Sequence, residues 1–128
     1  MTPEGLRYTK DHEWARKDDD LVVVGITQYA QDQLGDVVFV ELPAIGRTVE
    51  AGQSFGVIEA VKTVSDLYAP LAGEIVEVNS GLADQPALVN QAPYEGGWMV
   101  KIRPKDAADL DHLLDAGAYK QLLEAEHA

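Results

Sequence analysis

The sequence predicts a mainly β domain, a small barrel or sandwich, with helices at its C-terminal end. Three observations carry that prediction. Short runs rich in Val, Ile, Phe and Tyr recur from Leu6 to Ile102, each bounded by Gly, Pro, Asn or Asp, as strands joined by tight turns are. The period changes after Pro104: Leu110, Leu113 and Leu114, then Tyr119, Leu122 and Leu123, fall at helical spacing. The chain has 128 residues, 46% hydrophobic and 25% charged, which suits one globular domain with a real core.

The elements follow in order. Met1 to Glu4 read as loose. Leu6 to Tyr8 and Trp14 to Arg16 are short strands, and Lys17-Asp-Asp-Asp20 is a charged hairpin turn leading into Leu21 to Ile26. Its adjacent carboxylates lack the Gly punctuation of a calcium loop, so they read as a solvated tip. Thr27 is a good N-cap and Gly35 a good C-terminal stop, with a helix from Gln28 to Leu34 between them. Asp36 to Leu42 is a strand apolar on nearly both faces, ended by Pro43. Thr48-Val49, Ser54 to Val61 and Val64 to Tyr68 are further strands, punctuated by Gly46, Gly52 and Pro70. Glu74 to Val78 alternates, which puts Ile75 with Glu77 on one face and Val76 with Val78 on the other. Asn79 to Tyr94 reads as mostly irregular, with one short apolar piece, Ala87-Leu88-Val89. In the last strand Trp98, Val100 and Ile102 share one face, and Met99 and Lys101 the other. Asp106 or Asp109 caps the first C-terminal helix and Asp115 the second. A faint echo between Gly46–Gly52 and Gly73–Gly81 suggests two related halves with Lys62 between them.

Charge and composition exclude several functions. With 22 Asp plus Glu against 10 Lys plus Arg, the net charge of −12 repels nucleic acid and anionic lipid. There is no Cys, so disulfides, thiolate metal sites and cysteine nucleophiles are absent, and redox chemistry requires an attached group. No run approaches the ~20 apolar residues of a membrane span. The N-terminal stretch lacks an apolar signal core. That points to a bacterial cytoplasm, or to a mitochondrial matrix if a leader has been removed. No nucleophile–base pair is evident. His127 belongs to a tail, His112 to a helix, and His12 to a turn where it packs or hydrogen-bonds. No residue is assigned a catalytic or metal-binding role.

Lys62 stands out by census. It is the only Lys, Arg or His between Arg47 and Lys101, and it sits among β-branched Val57, Ile58, Val61, Thr63 and Val64. One reading is a solvated surface Lys. The other is an amine displayed on a rigid hairpin as a handle for acylation, with no neighbouring Lys to compete. The turn itself, Ala60-Val-Lys-Thr-Val64, holds no Gly or Asn, so turn statistics do not mark a two-residue hairpin.

The segment Glu59-Ala-Val-Lys62, followed by Ser65-Asp66 and Leu67-Tyr-Ala-Pro70, resembles the lipoyl-attachment segment of the glycine cleavage system H proteins, with Ala60 in place of the commoner Ser. Further blocks are similar and in order: Tyr8-Thr-Lys10, His12-Glu-Trp14, Gly25-Ile-Thr27, Leu34-Gly-Asp36, Phe39-Val-Glu-Leu-Pro43, Gly73-Glu74, Val78-Asn79, Pro93-Tyr94 and Gly97-Trp98. The resemblance runs over about residues 6–126. It implies a flattened β-barrel or sandwich of the lipoyl/biotinyl-carrier type (a hybrid barrel), with an N-terminal hairpin extension, one short internal helix and C-terminal helices. As one domain over residues 1–128, it would have its lipoyl core at about 21–103 and its extensions at 1–20 and 104–128.

The resemblance also implies a non-catalytic carrier. Lipoate is amide-linked to Lys62, and both sulfurs of the redox chemistry belong to that cofactor. The arm takes the aminomethyl group of glycine from the pyridoxal-phosphate-dependent glycine decarboxylase to an aminomethyltransferase, and dihydrolipoamide dehydrogenase reoxidises it. A lipoate ligase or an octanoyl/lipoyl transferase attaches it. Glu59 and Val61 match positions that such an enzyme would read, although Glu59 also fits a plain surface acid. Glu13 and Asp66, with Asp11 and His12 beside Glu13, match the cleft that shelters the loaded arm, where a carboxylate would hold its ammonium. Local turn roles for these acids stay open. Trp14 and Trp98 read as core. A biotin acceptor would flank the Lys with Met, and a 2-oxoacid dehydrogenase lipoyl domain would show Asp-Lys-Ala; Val61-Lys62-Thr63 is neither. A lipoyl relay to other enzymes and a non-catalytic interaction module are the alternatives.

Overall fold

A computed structural model of the protein describes residues 5–127, without the side chain of His127, so the readings of Met1 to Glu4 and of the His127 side chain lie outside the described residues. The strands are β1 (Arg7–Tyr8), β2 (Glu13–Asp18), β3 (Leu21–Ile26), β4 (Val37–Glu41), β5 (Thr48–Val49), β6 (Ser54–Ala60), β7 (Val64–Tyr68), β8 (Gly73–Val78) and β9 (Val100–Pro104). The helices are α1 (Gln28–Leu34), α2 (Gly81–Asp84), α3 (Leu88–Gln91), a 3-10 helix (Ala107–His112) and α4 (Ala116–His127). The strands form a six-stranded sheet, β1-β2-β3-β9-β8-β5, and a three-stranded sheet, β4-β6-β7. The two echoed segments contribute β5 and β8, which pair antiparallel with each other.

The core between the sheets is built by alternation. Val22, Val24 and Ile26 of β3 point into it, as do Val40 of β4, Ile58 of β6, Leu67 of β7 and Ile102 of β9. Val23 points the other way into a second cluster with Tyr8, Trp14, Ala116 and Tyr119, over which α4 packs. Tyr8 and Tyr119 stack with ring centroids 4.6 Å apart, an arrangement worth about 0.5–1.5 kcal/mol beyond burial. Trp14 is fully buried and its indole Nε1–H donates to Pro93 O at 2.8 Å. That indole lies across Gly25, where any Cβ would come within 2.8 Å of the ring. α4 therefore packs on the six-stranded sheet.

Four sequence expectations are corrected. Three short internal helices stand where one was expected: α2 and α3 each make a single turn inside the stretch read as irregular. Asn79 supports this region by donating from Nδ2 to Gly96 O and Trp98 O and by accepting from Gly81 N–H. The alternation of β8 breaks at a bulge between Ile75 and Glu77, so Ile75 is buried while Glu77 is exposed. The extra residue in the bulged strand resets which side chains face inward. Met99 is fully buried and does not share a strand face with Lys101, because it precedes β9, and its N–H bonds Val24 O. The first C-terminal helix is a 3-10 turn, capped by Asp106. Asp115 caps α4 as expected, accepting from Ala118 N–H at 2.8 Å.

Candidate functional site

Lys62 is exposed at the tip of the β6–β7 hairpin. Ala60 N–H donates to Thr63 O at 2.8 Å across the turn, and Val61 N–H donates to Asp36 O at 3.0 Å, which ties the tip to the start of β4. Neither Val61 nor Lys62 adopts a positive φ. The tip thus stays rigid without the Gly or Asn that usually marks a short hairpin. The Lys62 stem lies over Gly35: a Cβ there would sit 3.2 Å from Lys62 Cε and 3.8 Å from Nζ. Gly35 also has φ +82°, so it ends α1 and clears a bed for the lysine at once.

A groove of about 320 Å³ runs from this tip between α1 and β7. Ile26, Ala30, Leu34, Ile58 and Leu67 give it apolar walls, and Thr63 to Asp66 form its β7 side. Asp11, His12 and Glu13 line it as well, next to the N-terminal end of α1, where Glu13 pairs with Ile26. The seven residues of α1 span about 10 Å at 1.5 Å each, which sets the scale between the Lys62 end and the Glu13 end.

The four cleft residues named from the sequence all line this one groove. Glu13 is only 3% exposed. Thr9 Oγ1 donates to its Oε1 at 2.8 Å and Tyr68 N–H to its Oε2 at 3.4 Å. Burial pushes its carboxyl up to about 8, with Asp11 adding to the rise and the two hydrogen bonds opposing it. Asp66 and Asp11 are exposed on the rim. His12, at φ 69°, places Nδ1 2.8 Å from Tyr119 Oη and Nε2 3.3 Å from Glu126 Oε2, with its ring against Tyr29 at 4.6 Å. It is a packing and hydrogen-bonding residue that joins the groove to α4. Glu59 and Val61 lie outside the groove lining. Glu59 stands between Phe39 and Val64 on β6, and Val61 is 74% exposed at the tip.

Sequence reading missed Asn90. Its Oδ1 accepts from Val37 N–H at 2.9 Å, while its Nδ2 donates to Gly35 O at 2.8 Å and to Gln31 Oε1 at 3.0 Å. One side chain therefore fixes the end of α1 to β4 beside Lys62. An amide inside the apolar stretch Leu88-Val89-Asn90 was the only available signal. Tyr29, on the groove wall, was also missed.

The groove offers apolar walls, an acidic end and an accessible primary amine at its mouth. Those surfaces fit a flexible aliphatic arm attached at Lys62 and carrying a cationic tip.

The family model for the glycine cleavage H-protein matches residues 6–126. A glycine cleavage system H protein of Thermus thermophilus is 60% identical over 124 residues, 97% of each chain. One from Bacillus cereus is 53% identical over 120 residues, 94% of each. The crystal structure of a glycine cleavage system H protein from Mycobacterium marinum superposes with a TM-score of 0.88 at 44% identity, covering 95% of this chain and 98% of that one.

Proposed function

The chain belongs to the glycine cleavage H-protein family, and on that premise we propose that Lys62 carries the lipoyl arm by which it serves as the shuttle of the glycine cleavage system. The observation that carries the assignment to Lys62 is its position, exposed on a pinned hairpin at the mouth of the groove. Held on Lys62, a lipoyl group would supply a dithiolane able to take up the aminomethyl group of glycine, and the dithiol left after that group is passed on would need dihydrolipoamide dehydrogenase to oxidise it. The protein's own residues present, shelter and release that group.

Presentation falls to the hairpin. Its two backbone hydrogen bonds fix the main chain at the tip, from which the amine is presented to the attaching enzyme, a lipoate ligase or an octanoyl/lipoyl transferase. Shelter falls to the groove. Apolar walls cover the aliphatic arm, and Glu13 meets its ammonium. Burial keeps the Glu13 carboxyl protonated near neutral pH, and an arriving ammonium favours its ionised form. Asp66 and Asp11 at the rim add to the negative field. Release goes to the aminomethyltransferase after loading at the pyridoxal-phosphate-dependent decarboxylase, with dihydrolipoamide dehydrogenase restoring the oxidised arm. The core at 21–103 carries the arm; in the N-terminal extension Asp11, His12 and Glu13 line the acidic end of the groove, and Tyr119 of α4 braces it through His12. The relatives are bacterial, which favours the cytoplasm as its place of work.

The test is glycine–bicarbonate exchange with purified decarboxylase. Lipoylated wild-type protein supports exchange and Lys62→Arg does not. Full lipoylation without exchange would instead favour a role in relaying lipoate to other enzymes.

A further inference from the structure

The three-stranded sheet carries an apolar surface that the core does not explain and that the groove reaches only at Val64. Val38 is 53% exposed, Phe39 48%, Val61 74% and Val64 61%. Among the described residues, the other large hydrophobic side chain exposed to this degree is Ile45, which lies off the sheet at 64%. The surface is built by a local device. The β4–β6 register shifts between Val37 and Phe39, so Val38 is the extra residue of a β-bulge. Val37 and Val40 stay buried while Val38 and Phe39 both face solvent. Plain alternation would have turned one of that pair inward. Phe39, Glu59 and Val64 then form one row across the sheet, and Glu41, Val57 and Asp66 the next. The rows end at the hairpin tip that holds Val61 and Lys62. An apolar centre is thus set among Glu41, Glu59 and Asp66, and β4, β6 and β7 contain no basic residue.

We infer that this bulged face is the docking surface for the enzyme that acylates Lys62, and that the enzyme's counter-surface has an apolar centre rimmed by basic residues. The inference rests on the carrier reading of Lys62. Geometry selects the occupant. A lysine amine stands only a four-carbon stem from its backbone, so an enzyme acting on Nζ must close over the tip and cover Val61 and Val64. Enzymes that act later meet the far end of the arm and need not cover the sheet. In the step itself Nζ gives up one proton to become nucleophilic and attacks the carbonyl carbon of an activated acyl donor. The amide bond forms, the bond to the donor's leaving group breaks with its electron pair, and Nζ loses a second proton. The apolar pair supplies the desolvated anchor of such an interface. The acids complement the basic rim and steer encounter.

The experiment uses apo protein, purified lipoate ligase, lipoate and ATP, with intact mass as the readout. Val38→Ser with Phe39→Ser is expected to lower kcat/KM for lipoylation at least about tenfold, mainly through KM. Glu41→Lys lowers it too and flattens its dependence on salt. Ile45→Ser, an equally exposed apolar residue off the sheet, leaves it unchanged. Variants driven to full lipoylation with excess ligase and then reduced to the dithiol are reoxidised by dihydrolipoamide dehydrogenase at the wild-type rate, and circular dichroism spectra matching wild type show that they fold. Unchanged lipoylation of the double variant would overturn the docking surface alone. An equal loss with the ligase and the dehydrogenase would overturn the choice of occupant. Wild-type protein that is never lipoylated would overturn the carrier reading and this one with it.

Discussion

Glu13 is the residue whose chemistry departs furthest from what its type suggests. The sequence marks it as an acid beside His12 and Trp14; only the fold makes it a buried one, 3% exposed beneath Thr9 and Tyr68. Its carboxyl is raised from 4.5 to about 8, chiefly by burial. The folded protein therefore holds that proton more tightly than the unfolded chain does. The stabilising effect is complete below pH 4.5 and is lost as pH rises toward 8, by up to about 1.4 kcal/mol per pH unit. Glu13→Gln removes this contribution: chemical denaturation of unlipoylated protein should show a flatter stability profile between pH 5 and 8 than wild type. The same variant should lose the aminomethyl group from isolated loaded protein faster, because the ammonium then lacks its carboxylate. An unchanged loss rate would place the ammonium elsewhere. Lys62 was legible because a census of charge needs no structure. Burial of Glu13 was not, since it depends on β2 lying beneath the turn at Thr9 and against Tyr68, 55 residues away.

Local rules worked best where one element decides its own ends. Thr27 and Gly35 bound α1 at the expected residues, and Thr27 Oγ1 accepts from Ala30 N–H. They failed where a partner strand decides. The bulges of β4 and β8 are set by register against β6 and β9, and no periodicity within a single strand shows them. The bed for Lys62 is likewise made by two elements, α1 ending at Gly35 and α3 supplying Asn90. Asn90→Ala leaves Val37 N–H and Gly35 O without this partner, at a cost of about 1–3 kcal/mol. Thermal denaturation should show the loss, and lipoylation should slow as the tip loosens. Gly25→Ala drives a Cβ into the Trp14 indole and should destabilise by roughly 1–3 kcal/mol through overpacking. A variant as stable as wild type would mean that the ring can slide aside.

At the scale of the molecule, two sheets enclose one core, and α4 seals a second cluster behind the six-stranded sheet. The mainly β architecture was legible because strand runs and turn residues alternate along the whole chain. How the strands divide between two sheets was not, because pairs such as β3–β9 join segments far apart in sequence. The net charge of −12 predicts that kcat/KM with partner enzymes falls on the order of tenfold between low and high salt. A salt-independent rate would deny electrostatic steering any part in docking. The central claim is that one amine, Lys62, carries the arm. Intact-mass and peptide mapping of protein from lipoate-replete cells tests it most directly. A single lipoyl adduct on the Lys62 peptide, absent from Lys62→Arg, is the predicted result; an unmodified mass, or an adduct on any other lysine, would contradict it.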